Sequence, residues 1–386
     1  MKYTSYKVQN IVESPIRKMY NLANKLENVI SFTVGEPDFT TSSNIVNSAI
    51  MALHSGQTHY TPNAGIQPLR EAIAKNVESS HGFKIDPESE VIIGNGAMQV
   101  LMLLMTAIIN PEDEVIVTNP YWPNHVEQIK LCGGKPIFVT VTENNGFMYN
   151  PADVKKVLGP KTKAIILNSP ANPTGAIVTR ETLATLATMA TENNLLIIAD
   201  EVYRHFIYDS ARFLSIATFP GMRERTILVD SFSKTYAMTG WRVGWAVGPQ
   251  EIIRSMIKLQ ENFSACVNTA AQYAAIEALQ GSQIPLNNMI IEYSERRQLL
   301  LDGINQIDRL SCIKPMGAFY SFVNIRQSGL SSEDFSLRLL SDQGVAVVPG
   351  NGFGSAGEGF IRLSYATSKE NILIGLNRIK AFLKRI

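Results

Sequence analysis

The sequence contains little cysteine, and its cysteines do not suggest a disulfide framework. The 386 residues include three, Cys132, Cys266 and Cys312, which lie far apart and are odd in number. The five histidines show no spacing typical of metal ligands. We therefore expect neither a disulfide framework nor a metal site, and a reducing compartment such as the cytoplasm.

An excess of charge of one sign is also absent. The chain carries 35 basic and 34 acidic residues, which gives a formal net charge of +1. Nucleic acids and anionic membranes usually select basic surfaces, so neither is expected as a partner. No apolar run reaches the roughly 18 residues that a membrane span needs, and the polar residues 1–10 do not resemble a secretory signal.

What the sequence does contain is an alternation of short β-branched runs and longer helical patterns through its middle. This alternation predicts an α/β fold with a mostly parallel, seven-stranded sheet covered by helices. The predicted strands are residues 91–93, 114–118, 136–141, 164–167, 195–199, 226–229 and 243–247. The predicted helices between them include residues 97–109, 151–158, 180–193 and 251–279.

A second unit is predicted from about residue 284 onward. It combines a long helix through residues 292–297 with the strands 318–325, 345–348 and 360–364 and the helices 333–343 and 369–384. The N-terminal segment to residue 44 has no sheet of its own and is assigned to the same unit. The sequence thus predicts a large domain over residues 45–283 and a smaller α+β domain over residues 1–44 and 284–386.

One lysine stands out because of the residues around it. The segment Ser231-Phe232-Ser233-Lys234 follows the apolar run 226–229, and Arg242 comes shortly afterwards among several glycines. A lysine amine can form a Schiff base once its pKa falls below the usual value of about 10.4. The two hydroxyls and the guanidinium are groups able to hold a phosphate. The plainer alternative is a surface lysine near a turn.

Polar residues also follow other predicted strands, at the ends where open α/β sheets bind their ligands. Asn172 lies in a turn after strand 164–167, and Asp200 ends the apolar strand 195–199, where a buried acid needs a partner. Gly96 lies in a glycine-flanked turn that aims backbone N–H groups at an anion. The plainer explanations are a tight loop for Asn172, a helix N-cap for Asp200 and a steric need for glycine at Gly96.

Together these segments resemble the class I aminotransferases of fold-type I, which depend on pyridoxal 5'-phosphate. The motifs are Asn-Pro-Thr-Gly at 172–175, Asp-Glu-Val-Tyr at 200–203 and the lysine segment 231–242, and they stand in the order found in that family. The resemblance is to the aspartate and aromatic aminotransferases, and it covers nearly the whole chain, from Gly35 to Arg362. It implies the fold-type I architecture of a large cofactor-binding domain and a small domain.

The resemblance implies three catalytic residues, Lys234, Asp200 and Tyr203. Lys234 would hold the cofactor as an internal aldimine, and Asp200 would pair with the protonated ring nitrogen. Tyr203 and Asn172 would hydrogen-bond the phenolic oxygen of the ring. Trp122 would stack on the ring and also contact the substrate.

Further residues are implied around the cofactor phosphate. The backbone at Gly96 and Ala97, the hydroxyls of Ser231 and Ser233, and the guanidinium of Arg242 would hold it. An arginine suits a dianionic phosphate because its planar fork offers paired donors.

Two other residues adjoin these implied cofactor contacts. Met98, next in the chain after Ala97, is also assigned to the cofactor site. His125 would support Asp200 from behind, although a histidine satisfied within the core is the alternative.

The resemblance also implies substrate contacts and a partner chain. Arg362 matches the arginine that binds the substrate carboxylate, the alternative being a strand arginine paired with a surface acid. Gly35 belongs to a loop that closes over the same carboxylate, and Asn172 contacts the substrate as well. Tyr60 matches a tyrosine that reaches the phosphate of the neighbouring subunit, which implies a homodimer with shared active sites.

The implied function is transfer of an amino group from an L-amino acid to a 2-oxo acid such as 2-oxoglutarate. Met98 stands where some aspartate-specific relatives place a lysine, and its thioether suits apolar or aromatic side chains better. Arg17 could still reach an acidic side chain. We therefore expect a broad donor range of aromatic and other apolar amino acids, with aspartate left open.

Two alternatives to transamination follow from the same resemblance. A carbon–sulfur lyase or a related synthase could use the same scaffold, because a fold does not determine its reaction. A transcription regulator that senses the cofactor would need a DNA-binding module and basic charge, neither of which the sequence shows. An assay distinguishes a lyase or synthase from a transaminase, and the balanced charge of the chain argues against a DNA-binding regulator.

Overall fold

A seven-stranded sheet forms the centre of the computed structural model, which describes residues 3–9, 11 and 14–386. The strands of the chain are β1 (Ile30–Ser31), β2 (Val91–Gly94), β3 (Glu114–Asn119), β4 (Lys135–Thr140), β5 (Thr162–Asn168), β6 (Leu196–Asp200), β7 (Thr226–Ser231), β8 (Gly244–Val247), β9 (Ser311–Cys312), β10 (Tyr320–Asn324), β11 (Val345–Ala346), β12 (Val348–Pro349) and β13 (Phe360–Ser364). The large sheet has the order β2-β8-β7-β6-β5-β3-β4, in which β8 is antiparallel to both of its neighbours. Its other pairs are parallel, so the predicted mostly parallel sheet of seven strands is confirmed.

Helices cover both faces of this sheet. The helices of the described chain are α1 (Tyr6–Gln9), α2 (Pro15–Ala23), α3 (Ser43–His54), α4 (Gln67–His81), α5 (Gly96–Ile108), α6 (Pro123–Leu131), α7 (Pro151–Val157), α8 (Arg180–Glu192), α9 (Phe232–Thr235), α10 (Gln250–Phe263), α11 (Thr269–Gln280), α12 (Ile284–Ile304), α13 (Ser332–Gln343) and α14 (Lys369–Leu383). Helices α5, α6 and α10 pack on one face, and α4, α8 and α11 pack on the other. In the part of the chain that the structure describes, no helix combines the length and the apolar character needed to cross a membrane.

The central strands are apolar without alternation because both of their faces are buried. In β5, Ile165 and Leu167 belong to the core on one face of the sheet, and Ala164 and Ile166 belong to the core on the other. A strand of a covered parallel sheet has no solvent-facing side on which polar residues would be favoured. The continuous apolar runs in the sequence therefore follow from the position of these strands in the sheet.

The register of the parallel strands brings the sequence motifs to one edge of the sheet. Asn168, the last residue of β5, pairs with Asp200, the last residue of β6. Asp200 in turn pairs with Val229 of β7, shortly before the chain turns into α9 and reaches Lys234. The loops that follow these three strands therefore begin side by side.

The predicted helix over residues 251–279 is wrong as a single element. The chain forms α10 and α11 with a break between Phe263 and Thr269. Ala265 in the break has a φ of 58°, a left-handed conformation that does not continue a helix. Asn268 then caps α11, since its Oδ1 accepts a hydrogen bond from the Ala271 N–H at 2.9 Å.

The C-terminal part of the chain forms a second sheet, antiparallel and four-stranded, in the order β12-β13-β10-β9. The predicted strand 345–348 is divided, because β11 pairs with β1 while β12 pairs with β13. The parallel pair β1–β11 links the N-terminal segment to this part of the chain. That link supports a small domain over residues 1–44 and 284–386 and a large domain over residues 45–283, a division that we keep as a proposal.

Candidate active site

A cavity of about 260 Å³ opens where the loops after β5, β6 and β7 begin. Most of the site residues predicted from the sequence line it. These residues are Gly35, Ala97, Met98, Trp122, Asn172, Asp200, Tyr203, Ser231, Ser233, Lys234, Arg242 and Arg362. Segments that are far apart in the sequence therefore meet in one concave site, which is the usual form of a small-molecule site.

Lys234 reaches the cavity from the short helix α9, directly after β7. Its Nζ donates a hydrogen bond to the carbonyl oxygen of Gly35 at 2.5 Å. Burial lowers the pKa of Lys234 to about 8, and the cations Arg242 and Arg362 act in the same direction. A substantial fraction of this amine is therefore neutral near physiological pH and able to act as a nucleophile or a base.

Asp200 is buried at the end of β6, with an exposed fraction of 2%. Its Oδ2 lies 2.9 Å from Nε2 of His125, a residue at the start of α6. Its Oδ1 accepts a longer hydrogen bond from the Val202 N–H at 3.4 Å. A carboxylate this deeply buried is stabilised by a cation, and one bound in the cavity would provide it.

Arg362 lies on β13 and is fully buried. One terminal nitrogen donates to Oδ1 of Asn172 at 3.0 Å, and the other donates to the carbonyl oxygen of Thr33 at 2.7 Å. Its Nε is buried and has no hydrogen-bond partner among the residues that the structure describes. Burial also lowers the pKa of Arg362 below its usual value. A buried guanidinium with an unused donor suits a carboxylate ligand.

Tyr320 is a cavity residue that the sequence analysis missed. Its hydroxyl lies 2.8 Å from the hydroxyl of Tyr203, and burial raises the pKa of both phenols. The guanidinium of Arg362 lies over its ring, 4.4 Å from the ring centroid. Tyr320 is one aromatic residue within an apolar strand, so nothing in its local sequence distinguishes it from a core residue.

Other lining residues were also missed, namely Ile16, Asn168 and Val202. Asn168 could have been predicted from the sequence, because it begins the turn that leads to Asn172. Its Oδ1 accepts a hydrogen bond from the Asn172 N–H at 2.9 Å and so shapes that turn.

The start of α5 and the side chain of Arg242 form a cradle beside the cavity. Gly96 has a φ of 77°, and a Cβ added there would lie 2.5 Å from a terminal nitrogen of Arg242. A Cβ added to Gly244 of β8 would lie 2.5 Å from the backbone nitrogen of Ala97. Glycine at both positions therefore allows the helix start, the strand and the guanidinium to approach closely. The positive end of α5 and the guanidinium both favour an anion at this place.

Met98 and Trp122 form an apolar side of the cavity. Asn124 Nδ2 donates a hydrogen bond to the Met98 sulfur at 3.3 Å, and Gln128 Nε2 donates to the Met98 carbonyl oxygen at 2.9 Å. The Trp122 ring meets the His125 ring edge to face, with 4.9 Å between the centroids. Both residues are thus held in place by neighbours from α6.

Two predicted site residues are not among the residues that line the cavity in the described chain, namely Gly96 and Tyr60. Gly96 adjoins it through Arg242. Tyr60 lies between α3 and α4 and is 91% exposed. Arg17, considered for acidic substrates, is exposed on α2, where it lines a neighbouring cavity of about 520 Å³ and lies over the ring of Tyr20.

Comparison with known proteins identifies the family. The model of the aminotransferases of class I and II matches residues 27–379. An aspartate aminotransferase of Pyrococcus abyssi is 42% identical over 96% of both chains, and aromatic-amino-acid aminotransferase 2 of Thermococcus litoralis is 40% identical over 98% of both. The solved structure of an aromatic aminotransferase from Pyrococcus horikoshii is 42% identical, superposes with a TM-score of 0.91, and matches 96% of this chain and 99% of its own.

These similarities confirm the resemblance seen in the sequence. They extend over nearly the full length of the chain and include both the family model and the fold. The fold-type I architecture, the aminotransferase activity and the use of pyridoxal phosphate are therefore confirmed. The chain belongs to the class I and II aminotransferases.

Proposed function

We propose that this aminotransferase takes aromatic and other apolar L-amino acids as donors and 2-oxoglutarate as acceptor. The observation that carries the amino-transfer chemistry is the Lys234 amine, whose pKa is lowered to about 8 and which shares one cavity with Asp200 and Arg362. A general base works best when its pKa lies near the working pH. Lys234 is thus suited to move the α-proton of an amino acid whose carboxylate is bound by Arg362.

The residues of the cavity fit pyridoxal phosphate. When bound, this cofactor supplies an aldehyde that a lysine can hold covalently and a ring that accepts electrons. Asp200, supported by His125, would hold the proton on the ring nitrogen. Tyr203 and Asn172 would donate to the phenolic oxygen.

The phosphate fits the cradle formed by the start of α5 and Arg242. The backbone of Gly96 and Ala97, the hydroxyls of Ser231 and Ser233 and the Arg242 guanidinium would hold it. The close approach that glycine permits at positions 96 and 244 supports this assignment.

The proposed donor preference depends on the apolar side of the cavity. Met98 and Trp122 line it together with Ile16, and a thioether adapts to apolar and aromatic groups of different shapes. Relatives named as aspartate and as aromatic-amino-acid aminotransferases are about equally similar to this chain. Aspartate therefore stays within the proposed range, as a poorer donor than the aromatic amino acids.

We further propose that the enzyme works as a homodimer in the cytoplasm. Tyr60 is large, aromatic and almost fully exposed in the single chain, as expected for a side chain that is covered by a partner. It would reach the phosphate of the neighbouring subunit, so that two chains build each active site.

A panel of amino donors with 2-oxoglutarate tests this function. We expect aromatic and branched apolar amino acids to give the highest kcat/KM, with Lys234→Ala inactive and the exposed-lysine control Lys258→Ala fully active. A strict preference for aspartate would contradict the role given to Met98. Release of pyruvate and ammonia from cystathionine, without transfer, would instead support a carbon–sulfur lyase.

A further inference from the structure

A buried ion pair lies behind the cavity, between Arg204 and Asp230. Nε of Arg204 donates to Oδ2 of Asp230 at 2.8 Å, and the two side chains are 7% and 5% exposed. Burial raises the pKa of Asp230 to about 6, even though Arg204 opposes the shift. A buried pair of charges is seldom more stabilising than an apolar pair of similar size, so its presence suggests a role other than stability.

The pair joins two chain segments that carry proposed cofactor contacts. Arg204 directly follows Tyr203, in the turn after β6, and Asp230 directly precedes Ser231 at the end of β7. Neither charged residue is among those of the described chain that line the cavity, whereas Tyr203 and Ser231 both line it. Successive residues of a strand point to opposite faces, so the Asp230 carboxylate lies away from the cavity that Ser231 faces.

The Asp230 carboxylate also holds the backbone of Ser231. The N–H of Ser231 donates to Oδ1 of Asp230 at 2.6 Å, while Oδ2 is held by Arg204. Ser231 is the last residue of β7 and the N-cap position of α9, the helix that contains Lys234. The direction in which the chain leaves the strand is thus determined by a carboxylate whose own position depends on Arg204.

The position of Arg204 is in turn determined by helix α4. A terminal nitrogen of Arg204 donates to Oδ1 of Asn76 at 2.6 Å. Glu201 lies in the same turn as Arg204, and its Oε2 lies 2.9 Å from Nε2 of His81, the last residue of α4. A connected network of buried hydrogen bonds restricts the groups attached to it.

We propose that Arg204 and Asp230 are positioning residues for the cofactor phosphate. They hold the backbone of Ser231 so that the hydroxyls of Ser231 and Ser233 meet the phosphate, although neither charged side chain touches it. The inference rests on the phosphate site proposed above. It predicts that loss of the pair weakens the recognition of the phosphate more than the recognition of the ring.

The test compares pyridoxal phosphate with pyridoxal, which lacks the phosphate. Both are titrated into the full-length protein freed of cofactor, and binding is followed by quenching of the tryptophan fluorescence. We expect Asp230→Ala to lower the preference for the phosphorylated compound by about tenfold, the effect of losing one or two hydrogen bonds. Asp230→Asn keeps an oxygen for the Ser231 N–H and should retain more of the preference.

A double variant and a control separate positioning from loss of stability. Arg204→Met with Asp230→Leu replaces the ion pair by apolar groups, so it should fold and still lose the preference. Asp209→Ala removes the partner of another buried arginine, Arg297, and should leave the preference unchanged.

Two results would overturn the inference, and they are distinguishable. An unchanged preference in the folded Asp230→Ala and double variants would exclude positioning by the pair while leaving the phosphate site intact. Equal binding of the two compounds by the unaltered enzyme would exclude the phosphate site itself, and the inference with it.

Discussion

At the scale of single residues, the cavity combines the buried Arg362 and the half-buried Lys234, which retain hydrogen-bonding or proton-transfer capacity. Arg362 uses two of its nitrogens within the protein and leaves Nε without a partner among the described residues. Lys234 donates its hydrogen bond to a backbone carbonyl, and burial lowers its pKa although the charge of Glu36 opposes the shift. Such groups are costly in a folded protein and are typical of sites that bind and transform a ligand.

The pH dependence of Lys234 reactivity follows from its pKa of about 8. The pKa in the folded protein lies below the ordinary lysine value, so the neutral, reactive amine predominates above about pH 8. We expect covalent capture of added pyridoxal phosphate by the cofactor-free enzyme to increase from pH 7 to pH 9 and then to level off. Borohydride trapping followed by peptide mapping measures this rate, with Lys258 as the exposed comparison.

A rate that continues to increase toward pH 10.5 would contradict the prediction. It would show that Lys234 has the pKa of an ordinary surface lysine.

Replacement of Arg362 by lysine should weaken substrate binding selectively. A lysine ammonium is a compact group without the planar fork, so it cannot reach both Asn172 and Thr33 from separated nitrogens and also bind a carboxylate. We expect Arg362→Lys to raise KM for the amino donor and for the oxo acid by about ten- to a hundredfold, with a smaller fall in kcat. Arg297→Lys, at another fully buried arginine, should leave both KM values unchanged, and a similar increase there would mean that the effect is not specific to the site.

The sequence predicted most of these residues because each stands in a short motif at a strand end. Asn172, Asp200 and Lys234 follow apolar strands whose carboxyl ends meet in the sheet. Tyr320 was not predictable in this way, because its place beside Arg362 depends on the pairing of β10 with β13. Contacts between residues on different strands of the second sheet have no local sequence signal.

At the scale of secondary-structure elements, the close approach of β8 to the start of α5 shapes the cradle beside the cavity. The approach requires a residue without a side chain at Gly244, where a Cβ would also lie 2.6 Å from the carbonyl carbon of Gly96. Backbone atoms cannot move aside as a flexible side chain can. A larger residue must therefore separate the strand from the helix.

We accordingly expect Gly244→Ala to destabilise the protein by about 1–3 kcal/mol and to weaken cofactor binding. Gly159→Ala is the matched control, because a Cβ at this exposed glycine meets only an ordinary contact of 3.7 Å to the Glu114 side chain. Urea unfolding and cofactor titration of both variants measure the two effects. Equal behaviour of the two variants would show that the helix start adjusts without loss.

Elements were predicted well where the apolar pattern was continuous and less well where it was interrupted by backbone geometry. The residues from 251 to 279 include no proline or glycine, yet Ala265 adopts a left-handed conformation and Asn268 caps a new helix. Likewise the apolar run 345–348 changes sheet in its middle, since β11 pairs with β1 and β12 with β13. The division of residues 345–348 depends on tertiary partners that the local sequence does not reveal, whereas Asn268 is a local helix-start signal that the apolar pattern obscured.

At the scale of the whole molecule, one chain forms the cavity, but its Tyr60 side chain does not reach that cavity. Tyr60 is 91% exposed and lies outside the cavity wall. A further cavity of about 910 Å³, lined by residues of α3 and α11 and by Trp241 and Arg242, adjoins the cradle. An open apolar surface next to a phosphate cradle is consistent with a site that a second chain completes.

Mixing of two impaired variants tests this arrangement directly. A Tyr60→Ala chain keeps Lys234, and a Lys234→Ala chain keeps Tyr60. If Tyr60 acts across the interface, a mixed dimer contains one site with both residues intact and one with neither. Random pairing of equal amounts makes half of the dimers mixed, so about a quarter of all sites should become active. If Tyr60 acts within its own chain, no site of a mixed dimer has both residues, and the activity of the mixture stays at the average of the two parent variants. Steady-state rates measured before and after subunit exchange distinguish the two cases.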